Sequence, residues 1–429
     1  MGNADMSSLR AQTRKSRFDD AKRVNLPNNR DASLRSGDGG CSSAMRTRSG
    51  RVVRFGEVAL PASKSESNRV LMIAAYGGFA SDFQNLSDSN DTMVLSEALR
   101  KAQSGASIID IADCGTAARF MTTYMACHEG EWILTGTERM KQRPIQPLVK
   151  SLRELGADIQ FVEKEGCLPL RIIGKPISGG KVQIEMHQSS QFASSLLLAA
   201  PMWPKGLEMD LIGELTSLPY LEMTMAMMQH FGAEVERNGR TISVKPKPYQ
   251  SNSFVVGGDW SAASYWYEMA VLSEECEIRL RGLSMSSLQG DVVIVDWMRQ
   301  LGVGTFVEKD AIVLRKIPFE RHPVCFDFAA HPDLYPTMAA TCAGLNVDAT
   351  FTGLGNLALK ESDRVGAMQS ELSKLGSCSL HFCSHNDHRI VMALAPLALL
   401  SGPVSFDHPE VVEKSYPGFW SDCPFLQAL

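Results

Sequence analysis

Residues 223–246 read MTMAMMQHFGAEVERNGRTISVKP, which we interpret as a helix, an apolar residue followed by Gly232, and a pair of strands. The same pattern recurs at three other places, the last of them stunted: 148–172, 293–316 and 368–382. The glycines that follow the four helices are Gly156, Gly232, Gly302 and Gly376, spaced by 76, 70 and 74 residues. Glycine supplies the left-handed residue that ends a helix, so a long internal repeat organises the chain.

A second series of six segments alternates with the first. Each segment has a polar start, a helix of small and apolar residues, and then a strand; the starts lie near residues 63, 114, 189, 259, 332 and 386. Helices that are apolar on all sides are typical of a protein interior. The sequence therefore predicts an α/β protein of six βαβαββ units in two domains of three units each, with the first and last units shortened.

The bulk composition is that of an ordinary globular protein. The 429 residues are 44% hydrophobic and 21% charged, no run of 18 apolar residues suits a membrane span, and the first residues include no apolar signal-peptide stretch. The ten cysteines form no C-x-x-C pair, which favours reduced thiols over a disulfide framework or a zinc site. We therefore expect a cytoplasmic protein with no membrane partner and no bound metal.

Charge divides the chain unevenly. Residues 1–50 hold ten Lys and Arg against five Asp, and the remainder has 33 basic against 43 acidic residues. The first fifty residues have too few large apolar groups to fold alone, so we interpret them as a disordered extension, a cloning remnant or a targeting segment. The acidic remainder has no basic stripe, which argues against nucleic-acid binding.

The predicted buried helices begin with residues that suit anions. These starts are Ser63-Lys64-Ser65, Gly115-Thr116, Ser189-Ser190-Gln191, Asp333 and Asp387-His388-Arg389. A helix N-terminus offers free N–H groups and the positive end of the helix dipole. Ser, Thr and Asp at these places are also ordinary N-caps, but Lys, Arg and Gln exceed what a cap requires.

Seven basic residues lie in the turns around these helices: Lys64, Arg69, Arg143, Lys360, Arg364, Arg389 and Lys414. A lone basic residue is usually a solvated surface charge, whereas a cluster suits one or two phosphorylated acids, because arginine holds phosphate or carboxylate through paired hydrogen bonds. Asp333 and Glu361 lie beside this set. Taken alone, Asp333 is equally well explained as a helix cap and Glu361 as an ion-pair partner.

At these residues the chain resembles the 5-enolpyruvylshikimate-3-phosphate synthase family, from about Gly56 to about Phe419. Eleven segments carry the resemblance in the family's order: LPASKSESNR (60–69), CGTAARF (114–120), LTGTERMKQRPI (134–145), SSQF (189–192), SLPY (217–220), GDWSAASY (258–265), SLQGD (287–291), HPDLYPT (331–337), GNLALKESDR (355–364), NDHR (386–389) and KSYPGF (414–419). One such motif is weak evidence, whereas eleven in order are highly specific.

The resemblance implies a two-domain, inside-out α/β fold, barrel-like in arrangement, with the active site in the cleft. Residues 51–62 plus 258–429 are expected to form the first domain and residues 63–257 the second. The implied reaction moves the enolpyruvyl group of phosphoenolpyruvate to the 5-hydroxyl of shikimate 3-phosphate and releases phosphate, in the shikimate pathway of aromatic amino-acid biosynthesis. No cofactor is expected, and the family expectation is a monomer.

The resemblance also implies roles for single residues. The residues implied to bind shikimate 3-phosphate are Lys64, Ser65, Arg69, Ser189, Ser190, Gln191, Ser217, Tyr220, Asp333, Asn356 and Lys360. Those implied to bind phosphoenolpyruvate are Lys64, Gly115, Arg143, Gln191, Arg364, Arg389 and Lys414. Besides Lys64, three residues have catalytic roles: Asp333 accepts the proton of the attacking hydroxyl, and Glu361, assisted by His388, exchanges the proton at the enol methylene carbon. For Glu361 to take up that proton, desolvation has to offset the cations beside it.

The chain departs from the family pattern in several places. Asp113 stands where the family usually has Asn and puts a negative charge near the phosphoenolpyruvate pocket. Ala62 replaces a usual Gly, and Leu218 replaces a more common basic residue. Only 43 residues separate Arg69 from Asp113, and nine separate Gly376 from Asn386, so the first and last units lack strands.

Three other functions compete with this one. A sister enolpyruvyl transferase acts on UDP-N-acetylglucosamine and uses a cysteine on a mobile loop, whereas Cys114 lies in a turn. A non-catalytic binding protein would not need the complete set of Lys64, Asp333, Glu361 and His388. A nucleic-acid-processing relative conflicts with the acidic charge.

Overall fold

The computed structural model describes residues 52–80, 82–377 and 379–427, so the interpretation of residues 1–50 lies outside it. Its strands are β1 (Val52–Ala59), β2 (Phe83–Gln84), β3 (Ile108–Asp110), β4 (Gly130–Thr135), β5 (Asp158–Phe161), β6 (Leu170–Gly174), β7 (Gly180–Glu185), β8 (Leu207–Ile212), β9 (Val235–Asn238), β10 (Thr241–Val244), β11 (Phe254–Val255), β12 (Glu275–Arg281), β13 (Val303–Val307), β14 (Ile312–Lys316), β15 (Val324–Asp327), β16 (Ala349–Thr352), β17 (Leu380–Phe382) and β18 (Val404–Phe406). Its α-helices are α1 (Lys64–Gly77), α2 (Asn90–Gln103), α3 (Gly115–Cys127), α4 (Gln146–Glu154), α5 (Ser190–Ala199), α6 (Leu218–His230), α7 (Trp260–Leu272), α8 (Ile294–Arg299), α9 (Tyr335–Leu345), α10 (Arg364–Leu372), α11 (His388–Leu394), α12 (Ala398–Ser401), α13 (Phe419–Asp422) and α14 (Pro424–Gln427).

Three four-stranded sheets share one topology. Their strand orders are β1-β12-β14-β13, β3-β4-β6-β5 and β7-β8-β10-β9. In each sheet the first two strands are parallel and the other two neighbouring pairs are antiparallel. A parallel pair requires a crossover helix, whereas a hairpin closes the antiparallel pair. This is the predicted βαβαββ unit, so the fold class is confirmed.

The three remaining units are smaller, each with a two-stranded parallel sheet: β2 with β11, β15 with β16, and β17 with β18. The stunted 368–382 copy lies at the end of the unit that runs from β15 to α10, so the shortening predicted at Gly376 and Asn386 is found in the next-to-last unit. The last unit, with β17 and β18, is short as well. After α10 ends, only residues 373–379 precede β17. Seven residues are too few for a hairpin of two strands, which are usually about five residues each.

Helices form the interior of both halves of the chain. One hydrophobic core is built from residues between Ala62 and Val256, and a second from Leu60 and residues between Trp260 and Leu426. Every residue of α7 except Ser261 is buried, and α3, α5, α9 and α11 are nearly as enclosed. The prediction of helices buried on all sides is confirmed. None of the helices in the described ranges has the length and apolarity that a membrane span requires.

Glycines end the four outer helices as the repeat predicts. Gly156, Gly232, Gly302 and Gly376 have φ values of 98°, 86°, 90° and 97°. This is the left-handed region, which glycine enters without steric cost. A repeated backbone requirement therefore explains the glycine spacing in the sequence.

The chain passes between the two cores twice, and the two passages run side by side. Ala62 and Gly258 form an isolated antiparallel bridge, and Ser63 donates its backbone N–H to the carbonyl of Gly257 at 2.8 Å. Gly258 itself donates to the carbonyl of Gly282 at 2.7 Å. A Cβ at Gly258 would lie 2.8 Å from the carbonyl carbon and oxygen of Gly282, which is closer than real Cβ contacts allow.

Gly258→Ala is therefore expected to lower the free energy of unfolding by about 1–3 kcal/mol, the usual cost of overpacking. The clash is with backbone, so no side chain can rotate out of the way. Urea denaturation at neutral pH measures this. Gly56→Ala is the control, because nothing lies within 4 Å of a Cβ there. Equal unfolding midpoints for the two variants would contradict the expectation.

Candidate active site

The structure brings most of the predicted site residues to one cavity of about 80 Å³ between the two cores. The predicted residues that line it are Lys64, Ser65, Arg69, Gly115, Arg143, Ser189, Ser190, Gln191, Ser217, Tyr220, Asp333, Lys360, Glu361, Arg364, His388 and Arg389. Asn356 and Lys414 are outside this lining. Small-molecule sites usually have about 300–1,000 Å³, so this cavity is narrow for such a site.

The helix starts serve partly as caps. Ser63, Ser189 and Asp387 each accept a hydrogen bond from a backbone N–H in the first turn of the helix that follows, so the capping interpretation is correct for these three. Asp333 does not cap a helix through its side chain, because it lies in the short 3₁₀ turn Pro332–Leu334 before α9. Its carboxylate is left to bind cationic side chains of the cavity.

Arg364 is the most buried cation of the cavity, with 1% of its side chain exposed. It donates from Nη1 to Asp333 Oδ1 at 2.8 Å, from Nη2 to Glu361 Oε2 at 2.7 Å and from Nε to Asp387 Oδ2 at 2.8 Å. A buried guanidinium needs this compensation, because an unpaired buried charge is costly. Arg364 therefore fixes three carboxylates from three segments around one point.

Asp333 is held by a second arginine. Arg389 donates from Nη2 to Asp333 Oδ2 at 2.8 Å, and Lys360 Nζ lies 3.8 Å from Oδ1. Burial raises the pKa of Asp333, but Arg389, Lys360 and Arg364 outweigh burial and hold it well below its usual range. Asp333 is therefore a carboxylate in this arrangement.

Glu361 is ionised for the same reason. Arg143 Nη1 lies 3.5 Å from its Oε1, and Arg364 binds its other oxygen. Burial raises the pKa of Glu361, but Arg143 and Arg364 lower it well below the usual value. For Glu361 to take up a proton, burial has to outweigh the neighbouring cations and raise its pKa. That condition is not met while both arginines contact this carboxylate.

Asp91 is a central residue that the sequence analysis missed. Its side chain is 4% exposed, and its two oxygens bind Lys64 Nζ at 3.0 Å and Lys414 Nζ at 2.9 Å. Burial raises its pKa, but Lys414 and Lys64 bring the pKa below the ordinary 3.8. Asp91 starts an ordinary amphipathic helix, α2, so no local signal marks it.

Arg69 and Arg119 are buried beside the cavity and bound by neutral oxygens. Arg69 donates to Thr224 Oγ1 at 2.7 Å and to the carbonyls of Ser65 and Tyr220. Arg119, which was quoted in a motif without a role, donates to the carbonyls of Gly115 and Pro144 at 3.0 Å. Burial lowers the pKa of Arg69 to about 10 and, together with Arg143, that of Arg119 to about 9. Both remain cations at pH 7.

Gly115 lies close to two arginine side chains, those of Arg143 and Arg119. A Cβ there would lie 2.7 Å from Arg143 Nη1 and 3.1 Å from Arg119 Nη1. Both guanidiniums therefore approach the first turn of α3, where the N–H groups of Gly115 and Thr116 have no intrahelical partner. Two cations and a helix N-terminus converge, which is a strong arrangement for an anion.

His388 and Asn356 are buried polar side chains with open hydrogen-bonding capacity. Neither imidazole nitrogen of His388 and neither amide atom of Asn356 has a hydrogen-bond partner within the described residues. Burial, Lys64 and Arg389 hold the pKa of His388 well below its usual value, so its imidazole is neutral. His388 lines the cavity, whereas Asn356 is not among the residues that line it.

Arg139 and Asp291, which lie in two of the family motifs, connect the two halves of the site. Arg139 donates from Nε to the carbonyl of Glu361 at 2.9 Å and from Nη2 to that of Lys360 at 3.0 Å. Asp291 accepts from the Tyr220 hydroxyl at 3.2 Å.

Within the residues that the structure describes, no group of three or more His, Cys, Asp or Glu could hold a metal ion.

Solved structures identify the architecture. The chain superposes with a TM-score of 0.70 on EPSP synthase from Acinetobacter baumannii, at 20% identity, covering 88% of this chain and 96% of that one. It superposes with a TM-score of 0.62 on the enolpyruvyl transferase NikO from Streptomyces tendae, at 15% identity, covering 88% and 96%. The fold is therefore that of the enolpyruvyl transferases.

Sequence comparisons narrow this class. The family model for EPSP synthase (3-phosphoshikimate 1-carboxyvinyltransferase) matches residues 100–423. The 3-phosphoshikimate 1-carboxyvinyltransferase of Bacteroides fragilis (strain YCH46) is 42% identical over 387 residues, covering 85% of this chain and 93% of that protein. That of Histophilus somni (strain 2336) is 33% identical over 416 residues, covering 86% and 95%. The chain belongs to the EPSP synthase family.

Asp91→Asn is expected to lower the free energy of unfolding at pH 7 by about 3 kcal/mol, because it leaves two lysines without their shared buried partner. The folded pKa of Asp91 is lowered, so its stabilisation is present above the unfolded pKa of about 4 and is lost as pH falls through the folded value. The difference between wild type and variant should therefore shrink below about pH 4. Urea denaturation across this range measures it.

Asp88→Asn is the matched control for that experiment. Asp88 is exposed and three residues away, and its substitution should change the unfolding free energy by less than about 0.5 kcal/mol. A difference between Asp91→Asn and wild type that grew on acidification would contradict the assigned direction of the pKa.

Proposed function

We propose that this chain transfers the enolpyruvyl group of phosphoenolpyruvate to the 5-hydroxyl of shikimate 3-phosphate and releases phosphate, in the shikimate pathway. Family membership supports this activity. The observation that carries the mechanism is the pairing of Asp333 and Glu361 through Arg364 in a cavity lined by cations. Two carboxylates at a cationic site provide a base for oxygen and a proton carrier for carbon.

The acceptor pocket is proposed to lie around α1, α5 and α6. Arg69 is positioned by the carbonyls of Ser65 and Tyr220 and is proposed to bind shikimate 3-phosphate with its charge. The remaining members of the proposed pocket are Lys64, Ser189, Ser190, Gln191, Ser217, Asp333, Asn356 and Lys360. Asp333 lies 3.3 Å from the Tyr220 hydroxyl, at the edge of this pocket where the 5-hydroxyl has to be deprotonated.

Phosphoenolpyruvate is proposed to bind at the start of α3 and the cations opposite it. The Arg143 guanidinium lies close to Gly115 at this helix start. Arg364 and Arg389 are held nearby by their hydrogen bonds to Asp333. The other members of this set are Lys64, Gln191 and Lys414. Cations at these positions stabilise the phosphate as its charge develops during departure.

We propose that the anionic groups of the substrates replace the two carboxylates as partners of the arginines. The anionic groups of phosphoenolpyruvate compete with Glu361 for Arg143 and Arg364, whose contacts keep the Glu361 pKa low. When those contacts are lost, the two largest opposing charges no longer act on the carboxylate and burial raises its pKa, so Glu361 can carry the proton to and from the methylene carbon. Loss of its contacts with Arg364 and Arg389 likewise makes the Asp333 carboxylate a stronger base. His388, neutral and unpaired within the described residues, can hydrogen-bond to the bound substrates.

The sister reaction on UDP-N-acetylglucosamine is the second candidate. In that family a cysteine on a mobile loop takes part in catalysis. Cys114 is instead buried, its sulfur accepts from the Ala117 N–H at 3.3 Å, and burial raises the pKa of its thiol. An inert, capping thiol does not suit that role.

We propose that the two domains are residues 51–62 plus 258–429 and residues 63–257. The two hydrophobic cores divide at the same double passage, which supports these boundaries. We further propose a monomer, as the resemblance to the family implies, and a cytoplasmic location, because the described cysteines are free thiols. Light scattering coupled to size exclusion tests the monomer.

The function is tested by phosphate release from phosphoenolpyruvate, with and without shikimate 3-phosphate, on purified protein. Release that depends on this acceptor is the expected result. Release that depends on UDP-N-acetylglucosamine would move the chain to the sister reaction. Folded protein that releases no phosphate with either acceptor would overturn the proposal in favour of a binding protein.

Glu361→Gln is expected to lower the rate of phosphate release at least about 100-fold, because the amide cannot exchange the methylene proton. Both substrates should still bind, as isothermal titration calorimetry measures. Glu138→Gln is the control, since Glu138 is 86% exposed and pairs only with a surface lysine in the described contacts. Normal turnover of Glu361→Gln would refute the assigned role.

A further inference from the structure

Three oxygen atoms lie around the ammonium group of Lys414. Its Nζ donates to Asp91 Oδ1 at 2.9 Å and to the carbonyl oxygen of Asp113 at 3.0 Å, and it forms an ion pair with Asp113 Oδ2 at 2.8 Å. An ammonium group has three N–H donors and no more. An anion that binds Lys414 therefore competes with these three oxygens.

Asp91 is poorly placed to leave. Its side chain is 4% exposed and also binds Lys64 at 3.0 Å, so its departure would strand a buried carboxylate and a second lysine. The side chain of Asp113 is 53% exposed. Rotation of the Asp113 carboxylate into solvent therefore requires no desolvation and breaks only a partly exposed ion pair, which contributes little stability.

A second cavity provides room for this rotation. It has a volume of about 660 Å³, is lined by Asp113, Arg139 and Asp363, and shares Arg143 and Glu361 with the wall of the first cavity. Asp113 therefore lies on the boundary between this larger cavity and Lys414. Its backbone precedes the turn into α3, where the anion site begins.

We propose that the Asp113 carboxylate occupies the position on Lys414 that an anionic oxygen of phosphoenolpyruvate takes, and that it turns into the second cavity when the substrate binds. Asp113 is thus an internal competitor that sets the affinity for phosphoenolpyruvate. It acts on this substrate alone, because the pocket proposed for shikimate 3-phosphate does not use Lys414. The proposal rests on the proposed function for the identity of the substrate.

The test is Asp113→Asn, which removes the charge and keeps the side-chain size. The KM for phosphoenolpyruvate should fall by roughly two- to fivefold, the upper range for a partly exposed ion pair that no longer competes. The KM for shikimate 3-phosphate should stay unchanged. A general loosening of the fold would raise both KM values, so the split between the substrates separates the two explanations.

Asp363→Asn is the matched control. Asp363 is exposed, lines the same cavity and caps α10 by accepting from the Gly366 N–H, a role that Asn retains. It makes the same change in net charge without a contact to Lys414, so its KM for phosphoenolpyruvate should stay at the wild-type value. An equal fall in both variants would show a general charge effect and overturn the proposal.

The remaining outcomes are also decisive. An unchanged or raised KM for phosphoenolpyruvate in Asp113→Asn, with active wild-type protein, overturns the proposal and leaves the proposed function intact. If the wild type releases no phosphate, the proposed function fails. Titration calorimetry then compares the affinity of wild type and Asp113→Asn for phosphoenolpyruvate and so tests the role of Asp113. Equal or undetectable binding by wild type and Asp113→Asn overturns the proposal, whereas tighter binding by the variant supports it.

Discussion

The interior of the cleft is organised by the need to neutralise buried cations. Arg364 binds Asp333, Glu361 and Asp387, and Asp91 plays the reciprocal part for Lys64 and Lys414. Neither centre is a strong source of stability, since desolvation offsets much of the attraction in buried ion pairs. Each centre does fix where separate segments meet, and the two proposed catalytic carboxylates are positioned in this way.

The same ion pairs explain why the two carboxylates do not act as bases before the substrates bind. Asp333 and Glu361 neutralise the arginines and keep low pKa values while they do so. A low pKa makes a carboxylate a poor base and a poor proton carrier at neutral pH. In the proposed mechanism, substrate anions release both groups together, so proton transfer is coupled to occupancy of the site.

Much of the fold could be predicted from the sequence, because repeated local requirements leave repeated residues. Gly232 and its three equivalents mark helix ends, and the polar starts of the buried helices mark the cleft. Asp91 and its contact with Lys414 could not be predicted, since the two residues are 323 positions apart and depend on how two cores dock. The stunted 368–382 copy is interpreted from its pattern as ending in strand residues of its own unit, whereas β17 pairs with β18 and opens the following unit.

The double passage between the cores has a consequence for synthesis on the ribosome. β1 emerges early, but its parallel partner β12 follows only after the whole core between Ala62 and Val256. At roughly 5–20 residues per second, β1 waits on the order of ten seconds or longer for that partner. The half between Ala62 and Val256 can complete its last sheet when β11 pairs with β2. The nascent chain therefore contains one folded half while β1 is still without its partner strand from the second half.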